Sequence, residues 1–264
     1  MNCQGGRRRC LQVFLLAALC CLSVTGSLVA APAPVTVAVA ANALAPLQRI
    51  SAQFQRDTGI PVRLVAGSTG ALYAQIRQGA PYDLFLAADT TTPARLEKQG
   101  LLVPGSRFVY ARGQLVLWSR DPARVDAGGA VLSQGEGLRL AIAHPERAPY
   151  GAAALAVLEA LGLRQAWEDR LVYGESVGKT WQFVASGNAD LGFVAASQVQ
   201  TTELGSRWPV PASLHPPLDQ GAGLLTAAQD KAETRAFHRY LCAAEARAVF
   251  RTFGYLPGDC RAID

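Results

Sequence analysis

The sequence is poor in the residues and motifs on which most catalytic and metal sites depend. It contains only three histidines, His144, His215 and His238, and they share no ligand spacing. None of its six cysteines stands in a CxxC pair. No phosphate-binding loop or dinucleotide-binding glycine pattern occurs. These absences argue against a zinc site and against a nucleotide-dependent enzyme.

Charge is also scarce, at 17% of residues, and it is distributed unevenly. The formal net charge is +5, but Arg7–Arg9 account for three of these charges and no equally dense basic cluster recurs. A nucleic-acid-binding surface needs such a cluster, so that class is disfavoured. Half of the chain is hydrophobic and its 25 glycines show no three-residue period, which excludes a disordered or collagen-like chain.

The first thirty residues have the pattern of an export signal. Arg7–Arg9 precede the apolar run Leu11–Leu22, which small residues follow. The run is shorter than the roughly 20 residues that a membrane span requires. We therefore predict a signal peptide over residues 1–30 and export to the periplasm. Lipid anchoring is disfavoured because Leu19 stands where a small residue is expected before a lipidated cysteine.

Removal of such a leader would leave two cysteines, Cys242 and Cys260. Two cysteines in an exported chain usually pair. The sequence therefore predicts one disulfide near the C-terminus.

Short apolar segments alternate with helical patterns through the rest of the chain, which predicts α/β lobes built from mostly parallel sheets with helices on both faces. The chain is long enough for two lobes with a cleft between them. We place lobe 1 at residues 34–112 and 221–264, and lobe 2 at 113–220. The predicted strands are Val35–Ala40, Val62–Ala66, Leu84–Ala88, Leu115–Ser119, Arg139–Ala143, Leu171–Tyr173, Leu191–Ala195 and Gly223–Thr226.

Four junctions between a strand and the following helix are made of small or polar residues. In a parallel sheet such junctions share the carboxyl edge, where open α/β sheets bind ligands. Each helix start offers unpaired N–H groups and the positive end of a dipole, so two junctions per lobe would surround a small anion. The four junctions are Ala41-Asn42-Ala43, Gly67-Ser68-Thr69-Gly70, Ala148-Pro149-Tyr150-Gly151 and Glu175-Ser176-Val177-Gly178.

Other interpretations of these residues remain open at this point. Any one junction is explained equally well as a helix cap. Ser68 lies in a segment similar to the nucleophile turn of secreted hydrolases, but glycine is missing two positions before it. Lys179 suits an anion partner and also an ordinary solvated helix residue.

From about residue 34 to 264 the chain resembles the periplasmic molybdate-binding proteins of ATP-driven importers. The most specific matching segment is GAPYDLFLAAD, which follows a Ser/Thr-rich turn. The resemblance implies the two-lobed periplasmic binding protein fold, a non-catalytic function and a membrane permease as partner. It also implies a monomer without a cofactor that captures molybdate and tungstate. The other matching segments are VTVAVAANAL, AGSTGALYAQIRQ, LVLWS, HPERAPYG, ESVGKT, ADLGFVAAS and FGYL.

The resemblance also assigns ligand-binding roles. It places side-chain donors at Asn42 and Thr69, with Ser68 adjacent, and backbone N–H donors at Tyr150 and Val177. These residues would hold the oxyanion without direct coordination of its metal atom.

One position departs from the family pattern. Ala195 stands where some members have a tyrosine, so either that donor is missing or the Tyr150 hydroxyl replaces it. The alternatives are a binding protein for sulfate or ferric iron, and, in a different class, a secreted hydrolase.

Overall fold

The structure is a computed structural model that describes residues 33–200 and 202–260. The predicted signal peptide at residues 1–30 lies outside this part of the chain. Within the described part, no helix is long and apolar enough to cross a membrane.

The first lobe is built on a six-stranded sheet. Strand β1 lies next to one edge of this sheet, and its apolar sequence VTVAVA is buried because helices cover both faces. Strands β2 and β3 flank β1 in parallel, and the other three strands continue the sheet antiparallel. In spatial order the strands are β11 (Leu256–Pro257), β4 (Phe108–Gly113), β10 (Leu218–Leu224), β3 (Leu84–Leu86), β1 (Val35–Ala40) and β2 (Val62–Gly67).

The second lobe repeats this plan in a five-stranded sheet. Strands β7, β6 and β8 are parallel, and β5 and β9 complete the sheet antiparallel. The spatial order is β7 (Leu171–Gly174), β6 (Leu140–Ala143), β8 (Leu191–Ala195), β5 (Leu115–Ser119) and β9 (Ser206–Pro209).

The two-lobed α/β fold is thus confirmed, but both sheets are mixed and not mostly parallel as we predicted. Three strands in each lobe are parallel, because helices carry the chain back between them. Four of the five antiparallel strands, β4, β5, β9 and β10, adjoin the two crossings between the lobes, and β11 is the last strand of the described chain. The chain passes from the first lobe to the second at Gln114, between β4 and β5, and returns between β9 and β10. At each crossing the strand leads directly into the other lobe, so no helix turns the chain back to place a parallel strand.

A helix begins within a few residues of each of the four predicted junctions. The helices are α1 (Leu44–Thr58), α2 (Thr69–Arg77), α3 (Thr91–Lys98), α4 (Val131–Gln134), α5 (Pro149–Ala160), α6 (Arg164–Trp167), α7 (Val177–Ala185), α8 (Ala196–Val199), α9 (Ala232–Tyr240) and α10 (Ala244–Thr252). Short 3-10 turns cover Ala41–Ala43, Glu168–Arg170, Ala212–Leu214 and Thr226–Ala228.

Each lobe has its own apolar core. Helix α1 buries Leu47, Ile50 and Phe54 at helical spacing against the first sheet. In the second lobe Trp167 and Phe193 are fully buried between helices and sheet. The two cores hold each sheet rigid, so the strand–helix junctions at their edges are placed by packing.

The C-terminal segment confirms the predicted disulfide. Cys242 and Cys260 are bonded, with 5.5 Å between their Cα atoms.

Strand β10 belongs to the first sheet from Leu218 onward, so the boundary that we predicted between residues 220 and 221 falls inside this strand. The lobe boundaries themselves stay a prediction.

Candidate functional site

A small cavity lies between the two lobes, where the four junctions meet. It is lined by all five residues that the sequence singled out, Asn42, Ser68, Thr69, Tyr150 and Val177. Its volume is about 10 Å³, close to the minimum that holds one water molecule. The structure therefore brings the five predicted residues together around one small space.

The cavity has a neutral wall and positive helix ends. None of the residues that line it carries a formal charge. Helices α2, α5 and α7 all begin there, and each directs the positive end of its dipole inward. Such an arrangement attracts an anion without supplying a charged partner. The remaining lining residues are Ala40, Ala41, Gly67, Ala88, Ala148, Pro149 and Ser176.

The amides of Tyr150 and Val177 occupy first-turn positions of α5 and α7. No helical carbonyl lies four residues before them, and no other partner is found for them within the described chain. They are therefore available as donors, in agreement with the predicted roles. Ser176 caps α7 by accepting a bond from the Lys179 N–H at 3.3 Å, which supports that helix start.

The hydroxyls of Ser68 and Thr69 are both engaged as acceptors. Ser68 Oγ accepts from Ala71 N at 3.4 Å and caps α2, while Thr69 Oγ1 accepts from Ala88 N at 3.0 Å. Each hydroxyl keeps its own hydrogen for a ligand. The cap interpretation and the ligand interpretation are therefore compatible at these residues.

The structure corrects the role predicted for the Asn42 side chain. Its Nδ2 group donates to Gln220 Oε1 at 2.6 Å and to Tyr255 Oη at 2.9 Å, which uses both amide hydrogens. Any donation from Asn42 to a ligand therefore falls to its backbone N–H. Its Oδ1 atom is buried and has no hydrogen-bond partner within the described chain.

Further bonds hold Asn42 through its carbonyl oxygen. This oxygen accepts from Ser197 Oγ at 2.7 Å and from Tyr255 Oη at 2.9 Å. Ser197 belongs to the second lobe and Tyr255 to the first, so Asn42 is fastened from both sides. Sequence analysis missed Ser197, Gln220 and Tyr255 as supports, although Ser197 and Tyr255 lie inside quoted segments, ADLGFVAAS and FGYL.

Tyr150 inserts its ring between the lobes and is fully buried. Burial raises the pKa of its hydroxyl well above the ordinary value, and the neighbouring Tyr255 and Tyr110 add to the effect. The hydroxyl is therefore neutral at physiological pH. It lies beside Gly113, which is not a lining residue of the cavity. By geometry it makes no hydrogen bond within the described chain, although the Asn42 side chain is near enough to oppose part of the rise in its pKa.

Ala195 lies outside the cavity wall. It is fully buried and its N–H donates to Gln198 Oε1 at 3.0 Å. The hydroxyl two residues further along, that of Ser197, donates to the Asn42 carbonyl oxygen and does not line the cavity.

The hydrolase alternative finds no support at Ser68. The only hydrogen bond of its hydroxyl within the described chain is the one from Ala71, and no histidine lines the cavity. A serine nucleophile requires a base within hydrogen-bond reach.

Comparison with known proteins agrees with this geometry. Residues 35–256 match the family model of bacterial extracellular solute-binding proteins. The chain is 48% identical to the molybdate-binding protein ModA of Azotobacter vinelandii, covering 84% of this chain and 90% of that protein. It is 46% identical to ModA of Rhodobacter capsulatus, covering 87% and 91%. The chain belongs to this family of solute-binding proteins.

A solved structure supports the same assignment. The periplasmic molybdate-binding protein of Azotobacter vinelandii superimposes with a TM-score of 0.82 at 41% identity, covering 84% of this chain and 98% of that one. Members of the family are transport components and not enzymes.

Proposed function

We propose that the protein captures molybdate and delivers it to an ABC importer in the membrane. The observation that carries this proposal is the uncharged cavity at which three helices begin, in a chain nearly half identical to molybdate-binding proteins. Hydrogen bonds to a charged group each contribute roughly 1.5–3 kcal/mol, so several neutral donors offset the cost of removing water from a dianion.

The donors also bear on selectivity. The available groups are the N–H groups of Tyr150 and Val177 and the hydroxyls of Ser68 and Thr69. An anion that carries a proton, such as hydrogen phosphate, presents a donor to a site whose free groups are mainly donors, and this disfavours it. We expect tungstate to bind as molybdate does, because both are unprotonated tetrahedral dianions.

The related alternatives differ in what they require of the cavity. Sulfate has the charge and shape of molybdate but is smaller, so it remains the second candidate. A ferric ion needs carboxylates or clustered tyrosines, whereas the lining contains one tyrosine and no carboxylate.

We further propose that the chain is exported by the signal at residues 1–30, acts in the periplasm as a monomer, and needs neither a cofactor nor nucleic acid. The family description as extracellular supports export.

The decisive experiment is calorimetric titration of the protein without its leader with molybdate, tungstate, sulfate and phosphate. We expect tight binding of molybdate and tungstate, at least 100-fold weaker binding of sulfate, and no binding of phosphate. A 100-fold difference in affinity corresponds to about 2.7 kcal/mol. Binding of sulfate as tight as molybdate would replace the proposal by the sulfate alternative. Hydrolysis of generic ester substrates in a separate assay would support the hydrolase alternative.

A further inference from the structure

The four junctions of the cavity meet in two pairs, and each pair meets at a glycine. The β2–α2 junction of the first lobe meets the β6–α5 junction of the second where Gly70 N donates to Arg147 O at 2.8 Å. On the other side, the β1 junction meets the β7–α7 junction where Gly178 faces the Ala41 methyl group. Both contacts run between the lobes, next to the cavity.

Neither glycine is required by the backbone. Gly70 and Gly178 lie in the first turns of helices α2 and α7, and neither has a positive φ. Alanine is the better helix former at such positions, so local structure gives no reason for glycine. The atoms of the other lobe that face each glycine supply the reason.

The space opposite Gly70 is filled by backbone. A Cβ atom at this position would lie 3.0 Å from Arg147 Cα and 3.1 Å from Arg147 O. Ordinary contacts between such atoms are longer, at about 3.5–4.0 Å. Since main-chain atoms cannot rotate away, a methyl group here would push the lobes apart by a few tenths of an ångström.

The space opposite Gly178 is tight as well. A Cβ atom there would lie 3.2 Å from Ala41 Cβ, again shorter than an ordinary contact. Here the opposing atom is a single methyl group, so the crowding can be removed by a second substitution.

We propose that Gly70 and Gly178 are spacers that set how closely the lobes shut on the oxyanion, and thereby its affinity. The inference rests on the proposed molybdate function and names residues that act through closure without touching the ligand. Because the donors sit on opposite junctions, a gap of a few tenths of an ångström lengthens the hydrogen bonds of one lobe or the other.

The test uses Gly70→Ala and Gly178→Ala, with Gly128→Ala as the matched control. Gly128 has no positive φ, and a Cβ there would meet nothing closer than Asp126 Oδ1 at 3.8 Å. Molybdate association and dissociation rates are measured by stopped flow, and the unfolding temperature is measured without ligand.

We expect each spacer variant to bind molybdate about tenfold more weakly, because overpacking of this kind typically costs enough to change an equilibrium by that factor. The loss should appear as faster dissociation with nearly unchanged association, since closure follows encounter. The unfolding temperature of the ligand-free protein should not fall, because alanine suits both helix starts. Gly128→Ala should match the parent.

The double variant Ala41→Gly with Gly178→Ala moves the methyl group across the gap. We expect it to recover most of the affinity lost in Gly178→Ala, as a double-mutant cycle between two contacting residues should show. Parental dissociation rates in both single variants would overturn the spacer proposal while leaving molybdate binding intact. Failure of the parent itself to bind molybdate would instead overturn the proposed function and this inference with it.

Discussion

The hydroxyl of Tyr150 occupies the place where a side chain at Gly113 would begin. A Cβ atom built on Gly113 would overlap this oxygen and would lie 3.1 Å from Gln220 Nε2. Gly113 is the last residue of β4, directly before the chain crosses to the second lobe. The glycine therefore allows a tyrosine of the second lobe to insert against the crossing strand of the first.

Replacing Gly113 by alanine should displace this tyrosine. We expect the free energy of unfolding to fall by about 1–3 kcal/mol, the usual cost of overpacking a core. Molybdate affinity should fall too, because the Tyr150 amide moves with its ring. Urea denaturation and calorimetry measure the two effects, and Gly128→Ala serves again as control. Parental stability and affinity would show that the ring finds another position.

Tyr150→Phe separates the amide of this residue from its hydroxyl. The hydroxyl lies against Gly113 and has no partner among the described residues, so we expect molybdate affinity to stay within about fivefold, or about 1 kcal/mol, of the parent. Stability should not decrease, because a buried unpaired hydroxyl is removed. A larger loss of affinity, measured by titration, would mean that the hydroxyl contacts the ligand and replaces the donor absent at Ala195.

Thr69 offers a comparison between hydroxyl and methyl. Thr69→Ala should weaken molybdate binding by about 1–3 kcal/mol, since it removes a charge-assisted donor and frees the buried Ala88 N–H. Thr69→Ser keeps the hydroxyl and should retain most of the affinity. Equal affinities of the two variants in a titration would show that the Thr69 hydroxyl does not contribute to ligand binding and that the residue only begins helix α2.

Asn42→Ala should act mainly on stability. It removes one donor to Gln220 Oε1 and one donor to Tyr255 Oη, and both atoms are buried. We expect the free energy of unfolding to drop by about 1–3 kcal/mol. Burial already raises the pKa of Tyr255 to about 12, so its hydroxyl stays neutral in the variant. Denaturation curves that coincide with the parent would contradict the support role assigned to Asn42.

His238 should make stability depend on pH. Its Nε2 lies 2.9 Å from the Ser106 carbonyl, and burial, with a smaller contribution from Arg239 and Arg235, lowers its pKa. The unfolded chain therefore takes up a proton first, and stability falls as the pH drops from about 6.5 towards the lower folded pKa. Above pH 6.5 this contribution is constant.

The matched variant for this effect is His238→Gln, which keeps an N–H donor for Ser106 but does not titrate. Urea denaturation at pH 8 and pH 5 should show a larger loss for the parent than for the variant. Equal losses would mean that other groups cause the pH dependence.

The two-lobed α/β fold and the residues that line the cavity were predictable from the sequence. The alternation of short apolar segments with helical patterns is local, and so are the small and polar residues at each helix start, so both are visible along the chain. The pairing of Cys242 with Cys260 followed from export and from the count of cysteines.

Long-range packing settles which groups support the ligand donors and how tightly the lobes meet. Gln220 and Tyr255 are 178 and 213 residues away from Asn42, and nothing in their neighbourhood along the chain marks them as its partners. The antiparallel strands around the crossings and the contact of Gly70 with Arg147 depend likewise on how the lobes pack. A glycine in a helix start has no visible reason in the sequence, because the atoms that exclude its side chain belong to the other lobe.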